Sequence, residues 1–318
     1  MTTLHIDRKG AALDADAGTL TVRLNGELAA RLPLGPVERL VVSGQATLST
    51  RLLAELWSRG VGLLVLTGRS GEASARLVGR PHDDVALRLA QYRAADNSSE
   101  AAGYARALVS AKVRAQARLL TRARDRRPDL RYEMRVAGEV LQTILARLAD
   151  PAENLDRGPL SGLEGAAASA YFSAFQTLFP PSLKFAGRRR RPPPDPVNAC
   201  LSLGYTLLHH EAVRETQVAG LDPLVGFLHV PERGRESLAC DLVEPLRPHI
   251  DEWVWQRFAE RDLRAEHFVI LPDGRCLMGK AGRAVFYDRF EVLARGLRRL
   301  LRGQTRQLAA ALRRKPGP

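Results

Sequence analysis

"GRPHDDVA", residues 79–86, is where the pattern of the chain changes. Gly79 and Pro81, set among polar residues, punctuate the backbone, because glycine and proline interrupt regular elements. Upstream, apolar residues alternate with polar ones or fall in short runs, the period of strands. Downstream they recur at every third or fourth position, the period of an amphipathic helix. The expected class is α+β: a small β-rich N-terminal domain over residues 1–80, a linker over 81–87, and a mainly α-helical domain over 88–318 ending in a basic tail.

On the upstream side, "TLTVRL" (19–24), "ELAARLPL" (27–34), "VERLVV" (37–42), "GLLVLT" (62–67) and "ASARLVG" (73–79) read as strands. Asn25-Gly26 tolerates the positive φ of a tight primed turn, so the first two segments are expected to be antiparallel neighbours. One helix interrupts them, "STRLLAELWSRG" (49–60), with Ser49 or Thr50 as cap, Leu52, Leu53, Leu56 and Trp57 as its apolar face and Gly60 as its stop.

Downstream, helical periodicity runs through "LRLAQYRAA" (87–95), "AAGYARALVSAKVRAQARLLTRAR" (101–124) and "EMRVAGEVLQTILARLAD" (133–150), with Pro128 and Pro151 as punctuation. Further helices follow, broken by the polar loop "PERGRE" (231–236) and by "HFVILPDGRCLM" (267–278), whose Pro-Asp-Gly suits a hairpin turn. "RRRRPPPDP" (188–196) cannot be helical through its prolines and is expected to be a basic loop.

Composition narrows the partners. Among 318 residues, 48 Lys plus Arg against 35 Asp plus Glu leave a formal charge of +13, and the pI is near 10.4. Arginine dominates, as in "RARDRRPDLR" (122–131), "GRRRRP" (187–192) and residues 295–318. A planar guanidinium suits bidentate phosphate contacts, so a polyanion is the expected partner. No apolar stretch is long enough to span a bilayer and residues 1–10 lack the apolar core of a signal peptide, so no membrane association and a cytoplasmic location are expected. Cys200, Cys240 and Cys276 form no CxxC pair, which predicts buried thiols rather than disulfides or a zinc finger. There is no P-loop, no GxGxxG after a strand, no nucleophile elbow and no HExxH.

The residues with catalytic chemistry lie in two stretches. In "GPLSGLEGAAASAYFSAFQTLF" (158–179), Ser161 is read as the helix start, with Glu164 in the first turn and small residues after it. In "SLACDLVEPLRP" (237–248), Asp241 and Glu244 are three apart and share one side of a helix, while His229 closes the apolar run "LVGFLH" upstream. One imidazole with up to three carboxylates is a mostly oxygen set, suited to Mg²⁺ or Mn²⁺ rather than zinc. In a basic protein such an ion would act on a phosphodiester.

In order, "KVRAQ" (112–116), "GLEGAAASAYF", "DPVNACLSLGYTLL" (195–208), "GFLHVPERGRESLACDLVEPLRP" and "DGRCLMGKAGRAVFYDRFE" resemble the blocks of the CRISPR-associated integrase family, the first-numbered Cas proteins of spacer acquisition. The resemblance spans nearly the whole chain. It implies a metal-dependent DNA endonuclease and integrase whose N-terminal domain dimerises and whose helical domain is catalytic. Carried over by position, the catalytic residues are Glu164, His229, Asp241 and Glu244, with Glu164, His229 and Glu244 as ligands of Mg²⁺ or Mn²⁺. Asn198 and Tyr205 fall in one block but read as capping and packing residues. The implied reaction is transesterification, the 3′-hydroxyl ends of a short duplex attacking a repeat array; with water attacking, branched DNA would be cut. Arg188, Arg189, Arg190 and Arg191 would hold double-stranded DNA, and a small ferredoxin-like protein would join two integrase dimers in a heterocomplex. The alternatives are a stand-alone metal-dependent nuclease on branched DNA and a non-catalytic DNA-binding scaffold.

Overall fold

The computed structural model describes residues 2–67, 72–77, 82–153, 155–189 and 192–314, and divides the chain into two compact units, 1–83 and 84–318. The first is β-rich and the second mostly helical. Arg190 and Arg191, expected to hold DNA, lie outside the described residues, as do residues 79–81 around the start of the expected linker and residues 315–318 of the expected basic tail.

Among the described residues of the first unit, eight strands make two four-stranded sheets. The strands are β1 (Thr2–Asp7), β2 (Ala11–Asp16), β3 (Thr19–Leu24), β4 (Glu27–Pro33), β5 (Val37–Ser43), β6 (Ala46–Leu48), β7 (Gly62–Thr67) and β8 (Glu72–Leu77). One sheet runs β1-β5-β7-β8, parallel except at β8; the other runs β4-β3-β2-β6, antiparallel except at β6. Asn25 and Gly26 turn β3 into β4 with φ of 52° and 88°, as the Asn-Gly pair predicts. Helix α1 (Thr50–Ser58) starts where Ser49 accepts a hydrogen bond from the Leu52 amide. Its Leu52 and Leu56 join Leu13, Leu20, Leu40 and Val42 in a single core. Trp57, expected on the apolar face, is 39% exposed. Sequence reading overlooked β1, β2 and β6.

The second unit begins with α2 (Val85–Asp96), whose cap is Asp84, so regular structure starts inside the stretch expected as a linker. Then come α3 (Ser98–Arg126), α4 (Arg131–Ala149), α5 (Arg157–Phe175), α6 (Pro196–Val218), α7 (Ser237–Val243) and α8 (Arg247–Ala259). A hairpin of β9 (Phe268–Ile270) and β10 (Cys276–Met278) precedes α9 (Lys280–Arg313). Long α3 packs against α4, α5 and α8, and α6 against α7, α8 and α9. A Cβ on Gly204 of α6 would stand 2.8 Å from Ile250 Cγ2, so α6 and α8 cross there closely.

The basic C-terminal stretch is not a free tail up to Arg313. It is the last part of α9, which buries Leu297, Leu301, Ala309 and Leu312. Arg298 pairs with Glu211 of α6 at 2.9 Å and Glu291 at 2.7 Å, and Arg313 pairs with Asp84 at 2.7 Å. Among the described residues no helix is long and apolar enough to cross a membrane. Cys200 and Cys276 are buried thiols, whereas Cys240 on α7 is half-buried.

Candidate functional site

The second unit brings the four singled-out residues to the meeting point of α3, α5, the loop before α7, and α7. Helix α5 begins at Arg157 rather than Ser161, so Glu164 stands two turns inside it and not in its first turn. Around it Gly165 and Ala166 are exposed, and no other part of the described chain comes within 4 Å of a Cβ placed on Gly165. Gly165 and Ala166 thus leave that strip of α5 open to solvent, whereas Ala167 of the same run is buried against the rest of the unit.

Asp241 and Glu244 lie three apart across a helix-to-turn boundary, and His229 is close to both, hydrogen-bonded to Asp241 and acting electrostatically on Glu244. Helix α7 stops at Val243, and Glu244 opens a 3-10 turn that carries Pro245. Asp241 is fully buried and turns back to the loop, accepting from the amides of Phe227 at 2.6 Å, Leu228 at 3.0 Å and His229 at 2.9 Å. Its Oδ1 also lies 2.7 Å from His229 Nδ1. Since the partner is a carboxylate, Nδ1 is the donor, so Nε2 is the ring nitrogen free to offer a lone pair when it binds an ion. Asp241 therefore shapes the loop and aims the imidazole.

Glu244 has other partners. Its Oε2 accepts from Lys112 Nζ, and the same ammonium reaches Glu164 Oε1. Lys112 belongs to the buried face of α3, with Val109, Val113 and Gln116 as neighbours at helical spacing. Arg247 lies 3.1 Å from the other Glu244 oxygen. Burial would push the Glu244 carboxyl up, but Arg247 and Lys112 outweigh it and bring it down to about 2. The acid is ionised at any physiological pH.

The loop carrying His229 is fixed from three sides. Gln91 of α2 is fully buried and bonds the Asp222 and Val225 carbonyls at 2.9 and 2.7 Å. Arg157 bonds the Phe227 carbonyl at 2.9 Å. Gly226 leaves no room for a side chain: a Cβ there would meet Asp241 Oδ2 at 2.7 Å.

Behind Arg247 lies a second buried cluster that sequence reading missed. Asp251 accepts from Tyr171 at 2.8 Å and from Tyr205. Burial raises the Asp251 carboxyl to about 6 despite both hydroxyls. The Tyr205 ring has Arg247 over it at 4.8 Å and Arg188 at 5.2 Å. Asn198 is not itself the cap it was expected to be: Asp195 caps α6 and accepts from the Asn198 amide, while the Asn198 oxygen braces the chain before the helix, accepting from the Arg188 guanidinium at 2.9 Å and the Arg189 amide at 2.9 Å. Arg188 is consequently folded back onto α6, where it also reaches Ser202 at 3.1 Å, instead of extending from a loose loop. Arg189 is exposed.

Of the site residues, Lys112, Arg247 and Asp251 went unassigned. Lys112 had a legible signal, a cation at an apolar-face position of α3; the other two had none beyond their place in helical pattern.

The two units and the paired-carboxylate, imidazole and lysine cluster define an α+β protein whose helical part carries a polar buried site. The CRISPR associated protein Cas1 family model matches residues 4–292, and the chain belongs to that family. A CRISPR-associated endonuclease Cas1 of Thermodesulfovibrio yellowstonii is 37% identical over 97% of this chain and 96% of its own length. One from Chlorobaculum tepidum is 33% identical over 92% and 85%. Among solved structures, a CAS1 protein from Thermotoga maritima superposes with a TM-score of 0.85 at 22% identity, covering 99% of this chain and 98% of its own. A casposase bound to integration product gives 0.83 at 20% identity, covering 100% and 92%. At these identities the superpositions establish a shared fold, that of a β-rich unit followed by helices.

Proposed function

We propose that the chain is the metal-dependent DNA endonuclease and integrase of CRISPR adaptation, joining 3′-hydroxyl ends of short duplexes into a repeat array. The observation that carries this reading is the convergence of Glu164 and Glu244, from α5 and the turn after α7, on one cation. Among the described residues, no three His, Cys, Asp or Glu side chains stand close enough together to share an ion as they are. The donor chemistry nonetheless fits one. Two carboxylates already meet around a positive charge, and His229 is near enough to Glu244 to act on it electrostatically. Its Nε2 lone pair is the remaining donor. Oxygen-rich sets of this kind favour Mg²⁺ or Mn²⁺.

When bound, such an ion polarises a phosphoryl oxygen and makes a hydroxyl or water a better nucleophile. Glu164, His229 and Glu244 would hold it. Asp241, with its oxygens taken up by three amides and the ring, would orient His229 and stay off the ion, which supports Glu244 as the ligand of the two acids. Transesterification makes one phosphodiester for each one broken, so no external energy source is needed, consistent with the missing P-loop. Arg189 and the unpaired share of the basic surface would bind DNA phosphates. Two structural neighbours, the casposase bound to integration product and a Cas6-RT-Cas1--Cas2 complex, support an integrase that works beside a second small protein. In this reading the chain is a homodimer, its partner is the ferredoxin-like subunit, and its substrates include branched DNA.

Strand transfer of a labelled duplex into a plasmid bearing a repeat array, with the cognate small partner present, tests it. Products are expected with Mn²⁺, none with chelator, and none from Glu164→Ala or His229→Ala while both variants still bind DNA. Full activity in either variant would remove the site from the reaction.

A further inference from the structure

Lys112 is the least expected member of the site. It sits in the middle of a 29-residue helix, its side chain is 10% exposed, and its ammonium bonds carboxylates 52 and 132 residues away. A buried ammonium is costly unless paired, and two carboxylates, one buried and one half-buried, aimed at one point repel unless a cation lies between them. Each half of the arrangement therefore requires the other. Lys112 lets Glu164 and Glu244 fold into convergence before anything binds. The same carboxylate oxygens are the ones a divalent ion would need, and an ammonium and a dication cannot both occupy the space between them without strong mutual repulsion.

Resting on the reading of Glu164, His229 and Glu244 as an ion-holding set, we propose that Lys112 is a built-in placeholder cation: it preassembles the acid pair and must swing out when the ion enters, so that it lowers the site's affinity. Two effects oppose each other. Losing Lys112 removes the preassembly, which weakens uptake, and takes away the cation the two carboxylates share, leaving only Arg247 on Glu244, which strengthens it. The electrostatic effect wins, because a unit charge beside a dication outweighs the ordering of two side chains that the surrounding helices already hold. Arg247 keeps its 3.1 Å contact with Glu244 and stops the bare pair from springing fully apart.

The test is calorimetric titration of Mn²⁺ alone into wild type, Lys112→Met and Lys112→Gln, with thermal melts of each with and without Mn²⁺. Both variants are expected to bind Mn²⁺ about tenfold more tightly or better. Without metal both melt below wild type, and Mn²⁺ raises their Tm by more than it raises that of wild type. A role limited to packing would lower Tm without tightening Mn²⁺. Folded variants that bind Mn²⁺ no more tightly than wild type overturn the placeholder. Adding Glu164→Ala to each background separates the two ideas: if Mn²⁺ uptake survives that change, the ion-holding reading itself is wrong, whatever Lys112 does.

Discussion

Asp251 shows how one buried carboxyl sets a pH dependence. Burial raises it from 3.8 to about 6, so the folded protein binds this proton more tightly than the unfolded chain does. Its stabilising contribution is complete below about pH 4 and is lost as pH rises through about 6. Asp251→Asn keeps the volume and stays neutral. Relative to wild type, the variant is expected to be unchanged near pH 4 and more stable near pH 7, by up to about 3 kcal/mol. Urea unfolding of both proteins at the two pH values measures this; an equal difference at both would mean the carboxyl does not titrate in that window. Asp251 was hidden in the sequence because "HIDEWVWQRF" reads as an ordinary helix, and nothing local reveals that Tyr171 and Tyr205 will come to meet it. Lys112 was more accessible. It occupies the slot in α3 where the apolar period of Val109 and Val113 calls for another hydrophobe, and a charge in such a slot demands partners.

At the scale of elements, the loop ahead of α7 depends on one absent side chain. A methyl on Gly226 would press on Asp241 Oδ2 at 2.7 Å and on the Ser237 carbonyl carbon at 2.8 Å. Gly226→Ala is therefore expected to cost about 1–3 kcal/mol and to weaken Mn²⁺ uptake, because it displaces the carboxylate that aims His229. Gly204→Ala meets Ile250 at a similar 2.8 Å, so it should lower Tm comparably and leave Mn²⁺ uptake alone. Melting curves and titrations of the two side by side decide whether the loop effect is specific. Elements were legible where turn chemistry was local: Asn25-Gly26 gave the β3–β4 hairpin, and Ser49 the start of α1. They were missed where the signal was faint. In β2 the inward residues Ala11, Leu13 and Ala15 do alternate with outward ones, but two alanines carry little hydrophobic weight. The spacing of Asp241 and Glu244 placed both on one helical stretch but did not show that it tightens into a 3-10 turn at Glu244, nor that each carboxylate has partners of its own.

For the whole molecule, the 48 Lys plus Arg overstate how many cations are available to a partner. Arg298 is held by Glu211 and Glu291, Arg122 by Glu252 at 2.6 Å, and Arg188 by Asn198 and Ser202. DNA affinity should fall linearly on a log–log plot against salt. Arg189→Ala is expected to shallow that slope by about 1, as for the loss of one phosphate contact. Arg298→Ala should leave the slope in place and lower Tm instead. Filter binding across a salt series discriminates them; identical slopes for wild type and Arg189→Ala would take Arg189 off the DNA path. The two-part division of the chain was visible from the change of period around residues 79–86, because strand and helix periods differ so plainly. Which arginines face outward was not, since an ion pair between residues far apart in sequence leaves no trace in composition.

The three thiols have a practical consequence. Cys200 and Cys276 are buried, and burial pushes both thiols up, so neither offers a reactive thiolate near neutral pH. Cys240 is half-buried and adjoins Asp241, one turn ahead of Glu244, and burial pushes its thiol up as well, so it reacts only when its surroundings open. The protein thus carries a native labelling position against its own site, and the rate at which a maleimide or nitrobenzoate reagent consumes that single thiol is a clock for how often α7 loosens, with no cysteine engineered in or out.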